Sequence, residues 1–162
     1  MKQLQMVVFA TALLLLSACS DKAQNKKIST NEIKKEELKG MVFLTKKEFI
    51  EKVWDFESNP DEWIYKGDKP CVIDFYADWC TPCKRVAPLL DRLSVEYKDD
   101  IYVYKINVEK EPELGEIFEV KSLPSFVFCP QEGYYQMIVG VKTNEETREK
   151  FKWIIDQFLL GK

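Results

Sequence analysis

Histidine is absent from the whole 162-residue sequence. This absence excludes every mechanism that needs an imidazole: a Ser-His or Cys-His nucleophile pair, a His-ligated zinc ion and c-type haem attachment. Glycine and proline are also scarce, at six and seven residues, while 46% of the chain is apolar and 13% is aromatic. Such a composition excludes a collagen-like or wholly disordered chain and suffices to build the core of one globular domain.

Positive charge is neither in excess nor concentrated in one segment. The chain has 24 Lys and Arg against 27 Asp and Glu, which gives a net charge of -3 and a pI near 5.2. A nucleic-acid-binding protein concentrates positive charge on one face, so we expect no nucleic-acid partner. Because histidine is absent, any catalytic chemistry has to come from other side chains, and the sequence contains five cysteines.

An apolar run near the start of the chain is too short to span a membrane. It extends from Met6 to Leu16 and is followed by Ser-Ala-Cys, whereas a spanning helix needs roughly 20 apolar residues. This pattern is typical of a secretory signal, which we predict at 1–18. The order Leu-Ser-Ala-Cys resembles a bacterial lipobox, which implies cleavage before Cys19 and lipidation of its thiol. An ordinary cleaved signal, in which Cys19 has no role, is the alternative.

A polar segment separates the predicted signal from the rest of the chain. Residues 19–40 are rich in Lys, Asn, Ser, Thr, Glu and Gln and contain almost no large apolar residue. This composition predicts a flexible, lipidated tether. A lipid on Cys19 implies an exported protein that is anchored to a bacterial membrane and faces the periplasm. The predicted folded domain is then 41–162.

Short apolar runs alternate with helix-period segments from Met41 onward, which predicts an α/β domain. The predicted strands are 41–44, 71–77, 101–108, 125–129 and 134–141. The predicted helices are 45–59, which Asn59-Pro60 ends, then 80–97, 111–118 and a last helix with a capping box at 143–146. The strand at 71–77 is apolar except for Asp74. A single charge in a strand covered on both faces means that Asp74 is functional or that the strand is mispredicted.

Two cysteines at CxxC spacing, Cys80 and Cys83, follow this strand at the start of a predicted helix. The spacing allows a small disulfide, and the N–H groups and partial positive charge of a helix N-terminus stabilise a thiolate. We predict that Cys80, expected to be the more exposed thiol, is the nucleophile and that the deeper Cys83 resolves its mixed disulfides. A buried Asp74 can accept the Cys83 proton, and Lys105 on the next strand can adjust the charge of Asp74.

Three segments resemble the thioredoxin family: VIDFYADWCTPCK at 72–84, YKINV at 104–108 and SLPS at 122–125. The resemblance extends over roughly 41–160 and implies a thioredoxin fold, which is an α/β fold with a central mixed β-sheet flanked by helices. Two features depart from the family pattern. Thr81 replaces the usual glycine between the cysteines, and residues 58–69 lengthen the connection before the central strand.

The resemblance also implies roles for residues around the disulfide. In the family, the proline of the third segment is cis and packs beside the disulfide, and this role falls to Pro124. The predicted catalytic residues are accordingly Cys80, Cys83, Asp74, Lys105 and Pro124. The residues expected to contact the substrate are Trp79, Thr81, Pro82, Leu123, Val139 and Gly140.

The remaining cysteines, Cys71 and Cys129, leave two further questions open. A CxxC is also half of a zinc site, but zinc needs two more ligands and the chain has no histidine and no second CxxC, so we expect no metal. If the strands that hold Asp74 and Ser125 pair antiparallel, as in the thioredoxin fold, Cys71 and Cys129 lie together at the far end. A second disulfide is then possible, and two separate buried thiols are the more common alternative.

The sequence therefore predicts an exported, membrane-tethered thiol-disulfide oxidoreductase that needs no cofactor beyond the Cys80–Cys83 disulfide. Thr-Pro between the cysteines resembles the Gly-Pro of reducing thioredoxins more than the His-containing dipeptides of strong oxidants, which favours a reductase of protein disulfides. In an oxidising compartment the family implies a transmembrane electron donor, and we expect a monomer. The alternatives are a disulfide oxidase or isomerase and a non-catalytic thioredoxin-like binding module.

Overall fold

The computed structural model describes residues 40–142 and 144–162, so the predicted signal, Cys19 with most of the tether, and Thr143 lie outside the described residues. The described part contains the strands β1 (Met41–Phe43), β2 (Cys71–Tyr76), β3 (Tyr102–Asn107), β4 (Ser125–Cys129) and β5 (Gln136–Val139). It contains the helices α1 (Lys46–Lys52), α2 (Thr81–Glu96), α3 (Pro112–Ile117) and α4 (Asn144–Ile154). After α4 the chain continues as a π-helical turn, Ile155–Leu159.

The strands form one mixed sheet in the order β1-β3-β2-β4-β5. β3 pairs parallel with β1 and β2, whereas β4 pairs antiparallel with β2 and β5. The predicted mixed sheet and the predicted antiparallel pairing of the strands that hold Asp74 and Ser125 are therefore confirmed. Because of these directions, the carboxyl ends of β1, β3 and β2 meet the start of β4 at one edge of the sheet.

Apolar layers cover both faces of the sheet. On one face, Ile73 and Phe75 of β2 belong to a buried cluster with residues of α1 and α3. On the other face, Val72 and Phe126 belong to a cluster with residues of α2 and α4. Burial on both faces explains why β2 is almost continuously apolar. Asp74 has the same parity as Val72, so it lies on the α2 face.

Helix α1 is shorter than predicted, because it ends at Lys52 instead of continuing to Asn59-Pro60. Val53 and Trp54 follow the helix, yet both are buried in the core. The indole N–H of Trp54 donates a hydrogen bond of 2.8 Å to the carbonyl of Glu62. The long connection therefore packs back on the end of α1, and its contacts bury these two side chains without a continuing helix.

Strand β5 is also shorter than the predicted 134–141. It ends at Val139 because Gly140 has a φ of +77°, a conformation that L side chains rarely adopt. The N–H of Gly140 donates a hydrogen bond of 2.8 Å to the carbonyl of Pro124. This bond ties the end of β5 to the segment that precedes β4.

The C-terminal helix buries the apolar face that its periodicity predicts. Phe151, Ile154 and Ile155 are all buried against the sheet cluster on the α2 side. The predicted capping box begins at Thr143, which lies outside the described residues. The last turn widens, because the N–H of Leu160 donates to the carbonyl of Ile155 at 3.0 Å.

Candidate active site

A disulfide joins Cys80 and Cys83 where β2 leads into α2. The sulfurs are 2.04 Å apart and the two Cα atoms are 5.3 Å apart. Cys80 is the N-cap of α2 in an extended conformation, and its Sγ accepts the N–H of Cys83 at 3.1 Å. Pro82 lies in the first turn, where its missing N–H leaves no hydrogen bond unsatisfied. The sulfur of Cys80 thus caps a helix N-terminus, a position that favours negative charge.

The two cysteines are equally buried in the disulfide form. Cys80 is 2% exposed and Cys83 is 3% exposed, so the prediction that Cys80 is the more exposed and Cys83 the deeper is wrong for this state. Tyr76, Val108 and Leu123, from three separate segments, pack against the buried cluster formed by Ala77 and the two cysteines. The helix position of Cys80, and not its exposure, distinguishes the two sulfurs.

Asp74 and Lys105 form an ion pair inside the sheet. They are register partners on β2 and β3, and the ammonium nitrogen is 3.2 Å from Oδ2 of the carboxylate. Asp74 is completely buried, and within the described residues neither of its oxygens has a hydrogen-bond partner of good geometry. Burial raises the pKa of Asp74 to about 6, although Lys105 opposes the rise. The carboxyl therefore changes charge close to neutral pH.

Two aromatic rings flank the ammonium of Lys105. Its nitrogen is 4.5 Å from the centroid of the Tyr76 ring and 5.9 Å from that of Phe43. Neither ring has a role that the sequence predicts. Phe43 is identified by the register of β1 on β3, which pairs it with Lys105. This register can be assigned only once the order of the strands in the sheet is known.

The predicted groove residues lie together at the β4–β5 side of the disulfide. The Leu123–Pro124 peptide bond is cis, as the resemblance implies, and Leu123 packs against the cysteines. Gly140 is bonded to the Pro124 carbonyl, and Val139 is the register partner of Ser125. These four residues from two segments are thus connected to one another, and Leu123 joins them to the cluster that contains the cysteines.

The side chains that precede and follow Cys80 differ in exposure. Trp79 is 67% exposed, which is high for a side chain of its size. Thr81 is exposed and Pro82 is half-buried. The indole next to the buried disulfide is thus accessible from solvent, and its contact with a substrate stays a prediction.

The second pair of cysteines is present as two free thiols. Cys71 and Cys129 are both fully buried and are direct partners across the antiparallel β2–β4 pair. Burial and the neighbouring Cys71 raise the pKa of the Cys129 thiol well above its ordinary value. Of the two alternatives, the structure shows two buried thiols, and their register confirms that they lie together.

Two properties of the described residues bear on cofactors and membranes. No group of three or more His, Cys, Asp or Glu side chains in the ranges 40–142 and 144–162 has a metal-binding arrangement. None of the helices in these ranges has the length and apolar character that a membrane span requires. Cys19 and its predicted lipid lie outside both ranges.

A family model and several known proteins match this chain. The family model described as Thioredoxin matches residues 41–152. A thioredoxin of Borreliella burgdorferi is 40% identical over 99 residues, which are 61% of this chain and 84% of the relative. Thioredoxin-T of Drosophila melanogaster is 44% identical over 82 residues, covering 51% of this chain and 52% of the relative. An M-type chloroplastic thioredoxin of Spinacia oleracea is 33% identical over 94 residues, covering 57% and 52%. The chain thus spans about half the length of the last two relatives.

Proposed function

The chain belongs to the thioredoxin family of thiol-disulfide oxidoreductases, and from this premise we propose that it reduces disulfides of exported proteins while a lipid on Cys19 tethers it to a membrane. The observation that carries the proposal is the Cys80–Cys83 disulfide at a helix N-terminus, at the end of the strand segment that carries Asp74 of the buried Asp74–Lys105 pair. The first feature stabilises a thiolate and the second supplies a base that titrates near neutral pH.

The reaction begins from the reduced chain. The Cys80 thiolate attacks one sulfur of a client disulfide, so the client S–S bond breaks and a mixed disulfide forms. The released client sulfur leaves as a thiolate and takes a proton from water. The exposed Trp79 and the edge formed by Leu123, Pro124, Val139 and Gly140 hold the client chain beside Cys80.

Cys83 completes the transfer of two electrons. Asp74, as a carboxylate, accepts the proton of the Cys83 thiol, and the resulting thiolate attacks Sγ of Cys80. The Cys80–Cys83 bond forms while the mixed disulfide breaks, and the second client sulfur leaves and is protonated. The client is reduced to a dithiol and the chain is oxidised to the disulfide form. A membrane protein that carries a dithiol returns the two electrons by the reverse exchange.

The direction of transfer follows from the residues between the cysteines. Thr81 and Pro82 supply no imidazole, so the Cys80 thiolate lacks a cationic neighbour in its own motif. A less stabilised thiolate makes the dithiol form the better electron donor, which favours reduction of clients. The alternative is oxidation of client thiols to disulfides or isomerisation of client disulfides, and the reduction potential of the Cys80–Cys83 pair distinguishes it from reduction.

We would measure the reduction potential of the Cys80–Cys83 pair in the full-length chain, purified in detergent. The chain is equilibrated with dithiothreitol or glutathione buffers and its thiols are trapped. A value near -270 mV supports a reductase, whereas a value near -120 mV identifies an oxidant and contradicts the proposed direction. Cys83→Ser is expected to accumulate a mixed disulfide with an oxidised protein substrate. Cys80→Ser is expected to form none, and a mixed disulfide in that variant contradicts the assignment of the nucleophile.

The tether has its own test in cells. A palmitate analogue that carries a clickable group is expected to label the full-length chain, and the labelled protein is expected in the membrane fraction. Cys19→Ser removes the only thiol that the lipid signal offers, so label and membrane association should both be lost. Equal labelling of the Cys19→Ser variant, or a soluble unmodified chain, contradicts the lipid anchor and leaves the disulfide chemistry untouched.

A further inference from the structure

The carboxyl ends of three strands bring an aromatic ring, an ammonium and a carboxylate into one row. Phe43 of β1 is the register partner of Lys105 on β3, and Lys105 is the register partner of Asp74 on β2. Register partners on neighbouring strands point to the same face of the sheet, here the face that α2 covers. The three side chains therefore lie next to one another.

The ammonium of Lys105 is enclosed by two rings. Its nitrogen lies 4.5 Å from the Tyr76 centroid and 5.9 Å from the Phe43 centroid, and the rings meet edge to face at 6.2 Å. A cation within about 6 Å of an aromatic face is attracted by the negative face of the ring. The side chain of Lys105 is only 9% exposed, whereas Phe43 is 58% exposed. Phe43 thus lies between a buried ammonium and the solvent.

We propose that Phe43 is a positioning residue of the active site, whose ring, together with that of Tyr76, holds the Lys105 ammonium against the Asp74 carboxylate. The inference rests on the proposed function, in which Asp74 accepts the Cys83 proton. Phe43 acts through Lys105, and its effect is to set the pH at which Asp74 becomes available as a base.

The surroundings of Asp74 give the direction of this effect. In the described part of the chain, Lys105 is the charged group that acts on the Asp74 carboxyl, and it lowers a pKa that burial raises to about 6. From β4 the register partner of Asp74 is Phe126, and the buried side chains of α2 carry no charge. Tyr76 stays neutral, because burial and the nearby Asp78 and Asp74 raise its pKa. A Lys105 that is held less firmly therefore leaves Asp74 with a higher pKa.

A pH titration of the Asp74 carboxyl carbon by 13C NMR tests the inference in the full-length, oxidised chain. In this form Cys80 and Cys83 are joined and do not titrate. Phe43→Leu keeps an apolar cover over Lys105 but removes the aromatic face. We expect the Asp74 midpoint to rise by about half a pH unit in this variant. The resonance is identified by its absence from Asp74→Asn.

Two matched variants separate the aromatic face from a general effect of the strand. Phe43→Trp keeps a ring over the ammonium and is expected to titrate like the unmodified chain. Val42→Ala truncates the neighbouring exposed side chain, whose register partner is Tyr104 and not Lys105, and is also expected to titrate like the unmodified chain. An unchanged midpoint in Phe43→Leu overturns the inference. So does a rise in Phe43→Trp or Val42→Ala equal to that in Phe43→Leu.

The NMR titration requires no turnover, so a result that contradicts the role of Phe43 is distinguishable from one that contradicts the proposed function. If the chain exchanges no disulfides, the proposed function is wrong, while the NMR midpoints still report whether Phe43 holds Lys105. If it does exchange disulfides, the rate at which Cys83 resolves a mixed disulfide is measured against pH. Its midpoint is expected to move upward in Phe43→Leu by the same half unit, and a profile that does not move overturns the catalytic part of the inference.

Discussion

Lys105 and Asp74 face each other on adjacent parallel strands, with the ammonium nitrogen 3.2 Å from a carboxylate oxygen. The attraction between the two charges favours the ionised carboxyl, whereas complete burial favours the protonated one. Burial prevails, since the pKa of Asp74 rises from 3.8 to about 6. The ionised Asp74 carboxylate therefore destabilises the folded state.

The first prediction concerns the pH dependence of stability. Between pH 4 and 6 the folded chain keeps a proton on Asp74 that the unfolded chain releases, so the contribution of Asp74 to the free energy of unfolding falls as pH rises through this window. The loss amounts to about 3 kcal/mol over the whole titration and is complete by about pH 7. Urea unfolding of the oxidised chain from pH 4 to 8 measures it.

Asp74→Asn is the control, because an amide does not titrate in this window. The other carboxylates contribute equally to both chains, so the difference in unfolding free energy between Asp74→Asn and the unmodified chain isolates Asp74. We expect this difference to change by about 3 kcal/mol in favour of the variant as pH rises. A difference that stays constant from pH 4 to 7 would show that Asp74 titrates alike in both states.

The Asp74–Lys105 pair is largely predictable, because the features that reveal it lie in the local sequence of each strand. Asp74 interrupts an apolar strand, and a charge in such a strand is visible without any knowledge of the fold. Lys105 lies in the next predicted strand, so parallel pairing brings the two together. Phe43 escapes prediction, because its place beside Lys105 depends on β1 joining the far side of β3 in the correct register.

Features that depend on several distant segments are predicted less well. The equal burial of Cys80 and Cys83 results from side chains of β2, the β3–α3 connection and the cis-proline segment, which no local pattern reveals. The early end of α1 results from the long connection that packs back on Trp54. By contrast, periodicity correctly indicates the buried side of the C-terminal helix, because the apolar residues on that side recur at the helical period within a single segment.

The second prediction separates the two alternatives for Cys71 and Cys129. We expect neither thiol to react with an alkylating reagent in the native oxidised chain, because both are fully buried. In urea, two thiols should become reactive. The count is made in a Cys19→Ser background so that the predicted lipid site adds nothing. No reactive thiol in urea would mean that the two cysteines form a disulfide.

The third prediction concerns the start of α1. The Thr45 side chain accepts the N–H of Glu48 at 3.3 Å, and the Glu48 carboxylate accepts the N–H of Thr45 at 2.9 Å. Thr45→Ala removes one half of this capping box and should lower the free energy of unfolding by about 1 kcal/mol. Thr45→Ser keeps the hydroxyl and should unfold at nearly the original urea concentration. Equal losses in the two variants would contradict a capping role for the hydroxyl.

The fourth prediction concerns Trp79, whose indole is exposed beside the disulfide. Trp79→Ala should change the free energy of unfolding by less than about 0.5 kcal/mol, because little of the side chain is buried. It should slow reduction of a protein disulfide several-fold, since an exposed ring provides contact area to a bound chain. Reduction of a small-molecule disulfide should stay nearly unchanged. Trp153 has a similar exposure but lies on α4, so Trp153→Ala should affect neither rate. If both variants slow the protein substrate equally, the effect of Trp79 is not one of substrate contact.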